Sequence, residues 1–198
     1  MRYTPTETEV LEMLKKPDTA TLKGMRDKAI LELLYSSALR RSELSNLDID
    51  NVNLKDRTVR VIKGKGQKDR FLPMTRKASE ALKLYLGRAR PLYNRNSQNK
   101  ALFLGEWGRR LTGGMINEIV HKYANFNNKI SAHSIRHATA THMLKRGANI
   151  LYLQKLLGHS SPKTTQIYTR LYPKDLIGIY NKYHPREKDQ PNLTFTSQ

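Results

Sequence analysis

The chain contains no cysteine. That absence excludes disulfides, thiolate metal sites and a cysteine nucleophile. Acidic residues are scarce, 17 Asp plus Glu against 36 Lys plus Arg in 198 residues, giving a formal net charge of +19. Metal-dependent phosphodiester hydrolysis needs clustered carboxylates, and no acidic residue is expected to accompany the motifs described below. There is no apolar run long enough to span a membrane and no signal-peptide core at the N-terminus. A cytoplasmic protein with no membrane partner is expected. The basic excess says nothing about fold, but it asks for a polyanion, and nucleic acid is the first candidate. Because basic residues are spread through patterned segments, they imply a basic face on a folded body rather than a basic arm.

What is present is mostly helical periodicity. Thr6–Glu9 reads as a capping box, followed by Val10, Leu11 and Leu14 and closed by Pro17. Residues 22–39 predict a strongly buried helix, and 42–47 a short one after a bend. RTVRVIK (57–63) alternates basic and apolar residues as a half-buried strand does, GKGQKD turns, and RFLPM (70–74) returns. Residues 75–88, 112–126, 132–146, 150–157, 163–171 and 174–183 return to helical spacing, with a polar loop at 91–100 and an extended segment at 101–105. The expected fold class is mainly α with a small antiparallel β-sheet. The last twelve residues, 187–198, read as a polar tail.

Five places carry chemistry. Arg40 follows the buried helix in ALRRSEL. Lys65 sits in the hairpin KGKGQKDR. His133 and Arg136, three apart in HSIRH, share a helical face. His159 ends a helix in LLGHSS, and Tyr168 lies nine residues on in TTQIYTRL. These residue types suit phosphoryl transfer without a metal. Two arginines clamp the non-bridging oxygens and a histidine adds a donor. A tyrosine hydroxyl attacks to form a covalent phosphotyrosine, and a lysine on a hairpin protonates the departing sugar oxygen.

In these motifs the chain resembles the catalytic domain of the tyrosine recombinases, the lambda-integrase family, in its Xer-like branch. The resemblance runs from about Thr4 to Arg186, with LRRSEL, KGKGQKDR, HSIRHATATHML, LGHSS, TTQIYTRL and LIGIYNKYHPR in family order. It implies a catalytic domain over 1–186 with the catalytic set Arg40, Lys65, His133, Arg136, His159 and Tyr168. No cofactor or metal is implied. It further implies a site-specific DNA recombinase of integrase or resolvase type, acting through a 3′-phosphotyrosine. On DNA such a protein assembles into a tetramer by way of its C-terminal helix. The N-terminal core-binding domain that usually completes the clamp is expected to be absent. Ala38 stands where the family has glycine, and Arg41 where it has an aliphatic residue, so Arg40 and Arg41 compete for one role.

Bland readings stand beside these. Tyr168 is one of ten tyrosines, and Tyr172 is its runner-up. His137 and His142 read as packing or capping residues, while His121 and His184 have no evident role. Lys63 and Lys68 read as phosphate contacts or solvated charges, and Arg26, Arg109 and Arg110 as surface charges. Asp48–Asp50 reads as a turn, and GKG lacks the setting of a nucleotide loop. A type IB topoisomerase-like nicking and closing enzyme uses the same residue types. An idle DNA-binding module needs neither the Tyr nor the Lys.

Overall fold

The computed structural model describes residues 3–62, 69–95, 98–157 and 173–187. Lys63, Lys65, Lys68, His159, Tyr168 and Tyr172, the helix expected over 163–171 and the tail beyond Glu187 lie outside the described residues.

The body is built around α2 (Leu22–Ser37). Ala29, Ile30, Leu31, Leu33, Leu34 and Tyr35 all lie at 0% exposure, so this helix is apolar on every side and runs through the middle of the molecule. Its charges are paired, as buried charges must be. Arg26 donates to Asp27 at 2.9 and 3.0 Å, and Arg186 meets Glu32 at 2.7 Å. Arg26 is therefore not the surface charge expected from sequence. It is 4% exposed, donates to the Leu104 carbonyl, and is held because Asp27 and the Tyr93 ring surround it.

Around α2 pack α1 (Glu7–Lys15), α4 (Arg76–Leu84), α6 (Gly113–Tyr123) and α7 (Ala132–Lys145). The Thr6 capping box forms as expected: Thr6 Oγ1 accepts from the Glu9 N–H at 3.2 Å, and Glu9 accepts from the Thr6 N–H at 2.8 Å. α3 (Arg41–Ser45) follows α2, and a 3₁₀ turn at Ile49–Asn51 occupies the acidic stretch read as a turn. Three antiparallel strands follow, β1 (Val52–Asn53), β2 (Thr58–Val61) and β3 (Arg70–Pro73), in the order β1-β2-β3. The β2–β3 register pairs Val61 with Arg70 and Thr58 with Pro73. Val59 and Val61 are buried while Arg60 is exposed, as the alternation in the sequence requires. The sheet is hooked to the end of α2. Ser37 Oγ donates to the Pro73 carbonyl at 2.9 Å, and Ser36 Oγ accepts from the Thr75 N–H at 2.7 Å.

The polar loop expected from residue 91 begins later. After α4 the chain makes a wider π-turn over Tyr85–Ala89 and continues as α5 (Arg90–Tyr93). Tertiary contacts keep it helical. Tyr85 stacks on Phe103 with ring centroids 5.3 Å apart, and the buried Arg90 donates to the carbonyls of Asn99 and Ala101, both at 2.7 Å. Residues 101–104 are extended and buried. They bridge Asp48 with Ala101 and Leu104 with Arg110.

α8 (Ile150–Leu157) packs on α7, and α9 (Pro173–Tyr183) lies against β3 and the end of α2. Tyr180 and His184 are fully buried. The Tyr180 hydroxyl donates to the Ser36 carbonyl at 2.7 Å, and His184 Nε2 donates to the Tyr35 carbonyl at 3.2 Å. His184, without evident role in the sequence, anchors the C-terminal segment. Among the described residues no helix is long and apolar enough to cross a membrane.

Candidate active site

The left-handed turn at Ala38, with φ of 49°, ends α2 and swings the chain so that Arg40 becomes the N-cap of α3. The Arg40 N–H donates to Glu43 Oε2 at 2.9 Å, and its guanidinium Nη1 donates to Glu43 Oε1 at 2.7 Å. One carboxylate thus fixes both the backbone and the side chain of Arg40.

α7 supplies the other wall. Ser131 caps it: Ser131 Oγ accepts from the Ser134 N–H at 3.2 Å, and Ser134 Oγ accepts from the Ser131 N–H at 2.8 Å. Asn117 of α6 accepts from the Ala132 N–H at 3.1 Å, which ties the two helices where α7 begins. His133 is exposed, and its Nε2 lies 2.9 Å from His137 Nε2, so one ring N–H faces the other ring's lone pair. Arg136, one turn on, is 5% exposed. Its Nη1 donates to the Ala38 carbonyl and its Nη2 to that of Leu157, two residues before His159. The same guanidinium stands 3.7 Å from Glu43.

Arg40, Arg41, Ser42, Asn117, Ser131, His133 and Arg136 line a cleft of about 410 Å³. Its charge is strongly positive. Burial lowers the Arg136 pKa to about 10, helped by Arg40 and Arg70 and opposed by Glu43, so the group stays cationic at neutral pH. Burial alone would raise the Glu43 carboxyl. The Arg40 N–H and the Arg70 guanidinium more than offset that, and Glu43 lies below the usual carboxylate range. The N-terminus of α7 adds its own partial positive charge to the same wall. Such a cleft suits an anion with several equivalent oxygens, of which a phosphodiester is one.

Of the six residues singled out from sequence, Arg40, His133 and Arg136 are brought together from the two sides of this cleft. Lys65, His159 and Tyr168 lie outside the described residues. Arg41 lines the cleft as well, with its side chain lying over Gly113. Arg110 is not a free surface charge: it donates to the carbonyls of Ser45 at 3.0 Å and Leu47 at 2.8 Å and pairs with Asp48. His142 is buried as expected. Its Nε2 donates to the Pro5 carbonyl at 3.0 Å, and Nδ1 accepts from Tyr35 OH at 2.9 Å. Sequence reading passed over three groups. Asn117 and Ser131 carry no motif signal beyond Ser131 as a helix cap. Glu43 stood in plain view in LRRSEL, three residues from Arg40. The expectation that no carboxylate accompanies the motifs is corrected by it. Its role is to hold cations, and among the described residues no group of three or more metal-ligating side chains forms.

A mainly helical body, a three-stranded antiparallel sheet and an arginine-lined cleft at the start of α7 define the catalytic-domain fold of the tyrosine recombinases. The chain belongs to the phage integrase family, whose pattern matches residues 4–175. It is 40% identical over 190 residues to tyrosine recombinase XerC of Thermodesulfovibrio yellowstonii, covering 93% of this chain and 63% of that one. It is 39% identical over 181 residues to tyrosine recombinase XerD of Staphylococcus haemolyticus, covering 90% and 61%. The XerA recombinase crystal structure superposes with a TM-score of 0.72 at 32% identity, over 94% of this chain and 66% of that one. The XerH site-specific recombinase bound to its difH substrate, in a pre-cleavage complex, gives 0.68 at 26% identity, over 90% and 53%. The chain thus spans somewhat over 60% of the length of the curated relatives it matches.

Proposed function

We propose that this chain cleaves and rejoins double-stranded DNA at specific sites, as the catalytic unit of a tyrosine recombinase acting in the cytoplasm. The observation that carries the reading is the convergence of Arg40, His133 and Arg136 on one cationic cleft from separate elements. XerC and XerD relatives and the DNA-bound XerH structure support the same reading.

In this mechanism the Tyr168 oxygen attacks the scissile phosphorus. The bond to the 5′ sugar oxygen breaks, and a 3′-phosphotyrosine forms. Lys65 protonates the departing 5′ oxygen, and His133 assists the proton leaving the tyrosine. Arg40 and Arg136 hold the non-bridging oxygens, where negative charge is greatest in the transition state, and His159 adds a donor. The phosphotyrosine conserves the bond energy, so a 5′ hydroxyl reverses the step without ATP. The arginines neutralise the charge that a metal would otherwise meet. The catalytic unit occupies residues 1–186, with 187–198 as a polar tail. Assembly into a tetramer on DNA uses the C-terminal helix α9, which must leave or extend its seat against Ser36 to reach a neighbour.

The test is incubation with a pool of nicked suicide duplexes in EDTA, followed by a denaturing gel. A covalent protein–DNA band is expected. Supercoil relaxation without sequence preference would favour the topoisomerase reading instead, and tight binding with no adduct would favour a binding module.

A further inference from the structure

Arg70 is the first residue of β3. Its Nη2 donates to Glu43 Oε2 at 2.8 Å, and the side chain is 12% exposed. Three guanidiniums therefore converge on one carboxylate: Arg40 at 2.7 Å, Arg70 at 2.8 Å and Arg136 at 3.7 Å. Three cations against one anion leave the cluster with two positive charges in excess. Arg70 is also under-satisfied. Its Nε and Nη1 are buried and have no hydrogen-bond partner among the described residues. Buried donors without partners are rare in folded proteins and costly to keep. The positive charge of Arg70 adds to that of the two guanidiniums that line the cleft.

Arg70 does not line the cleft, so it does not reach a ligand there directly. What it touches is Glu43, and Glu43 sets both the backbone and the fork of Arg40. Its ladder partner is Val61 of β2. Arg70 thus ties the edge of β3 to the carboxylate under the clamp.

We propose that Arg70 is a positioning residue: by pinning Glu43 between Arg40 and Arg136 it holds the two forks at a fixed spacing and keeps the cleft primed for an anion. Without it, Glu43 is free to follow Arg40 or Arg136, and the two forks lose their fixed spacing. This rests on the reading of the cleft as a phosphodiester site. The anion itself, however, can be tested without any cleavage.

The experiment compares wild type, Arg70→Met and Arg70→Lys in four measurements: melting temperature, duplex affinity, inorganic phosphate affinity and suicide-duplex cleavage. Phosphate binding is followed by the ³¹P line width, and the component lost in Arg40→Ala defines the cleft. Arg70→Met removes one of three cations, leaves Glu43 paired with Arg40 and opens no void, so its melting temperature should change little. Its duplex affinity should stay within about twofold, because most phosphate contacts lie elsewhere. Its cleft phosphate affinity should fall about as far as in Arg40→Ala. Cleavage should slow roughly 10- to 100-fold, the cost of a clamp displaced by a fraction of an ångström to an ångström. Arg70→Lys keeps one charged contact to Glu43 and should recover part of both losses. Cleft phosphate affinity unchanged in Arg70→Met would overturn the proposal whether or not any variant cleaves DNA. So would a cleavage loss that tracks a fall in melting temperature and is not recovered by lysine. If wild type forms no covalent adduct, the recombinase reading fails, and the phosphate titration still decides the role of Arg70.

Discussion

The Ala38 carbonyl accepts a hydrogen bond from the Arg136 guanidinium, and Ala38 itself sits in the left-handed region at φ 49°. The turn that aims Arg40 into the cleft therefore also anchors Arg136 across it. One backbone conformation sets both arginines, and a residue with a side chain adopts it.

Substitutions at Ala38 should separate by their tolerance of positive φ. Ala38→Gly removes left-handed strain but also a buried methyl, so stability should stay within about 1 kcal/mol of wild type. Ala38→Val places a β-branched residue in the least tolerated conformation and should cost about 2 kcal/mol or more. Urea unfolding of both variants checks this. Equal stability of the Gly and Val forms would contradict the account.

The two arginines of LRRSEL should not be equivalent. Arg40 engages Glu43 with its fork, while Arg41 lies over Gly113 at the rim. Arg40→Lys keeps the charge but loses the planar fork, and cleavage should fall roughly 100-fold. Arg41→Lys should stay within about threefold, as rim charges usually do. Suicide-duplex rates on both variants decide it, and the reverse ranking would move the clamp to Arg41.

Much of this was legible in the sequence, and the parts that were not have physical causes. The Thr6 capping box and the alternation in RTVRVIK are local signals, and both elements form, the strand over the shorter span Thr58–Val61 because Arg57 lies in a turn at φ 50°. His133 and Arg136 were correctly placed on one helix, but only packing decides that one is exposed and the other buried. The continuation of helix through Tyr93 depends on Arg90 reaching the carbonyls of Asn99 and Ala101, a contact no local window contains. Arg26 reads as a solvated charge until Asp27 and Tyr93 enclose it. Glu43 was invisible as a hub because two of its three partners come from other elements.

Stability should fall on mild acidification because of His184. It is fully buried with Nε2 donating to the Tyr35 carbonyl and Nδ1 accepting from the Arg186 N–H at 3.1 Å, so it is satisfied only as a neutral ring. Burial lowers its pKa to about 3. The unfolded chain, with an ordinary imidazole near 6.5, therefore binds a proton first. The stabilisation is complete above about pH 6.5 and is lost as pH falls from there toward 3, about 2 kcal/mol of it by pH 5. Urea unfolding at pH 7.5 and 5.0 should show the drop, and His184→Gln should flatten it. An unchanged slope in the variant would remove His184 as the cause.

The seat of α9 should depend on Tyr180. Its hydroxyl donates to the Ser36 carbonyl, and its ring is fully buried. Tyr180→Phe should cost about 1 kcal/mol, the net worth of one hydrogen bond. Tyr180→Ala should cost about 3–5 kcal/mol, since it also opens a cavity. Thermal unfolding of the pair measures both. A negligible loss in the alanine form would mean the C-terminal helix is not held by this contact.

Tyr168 should become covalently joined to a DNA 3′ phosphate held by Arg40 and Arg136. The most direct measurement traps the protein on nicked suicide duplexes in EDTA, digests the adduct with protease and nuclease, and locates the nucleotide-bearing peptide by mass spectrometry. A single modified peptide carrying the nucleotide on Tyr168 is expected, and none from Tyr168→Phe. An adduct on Tyr172, an adduct that persists in Tyr168→Phe, or cleavage that appears only with Mg²⁺ would contradict it.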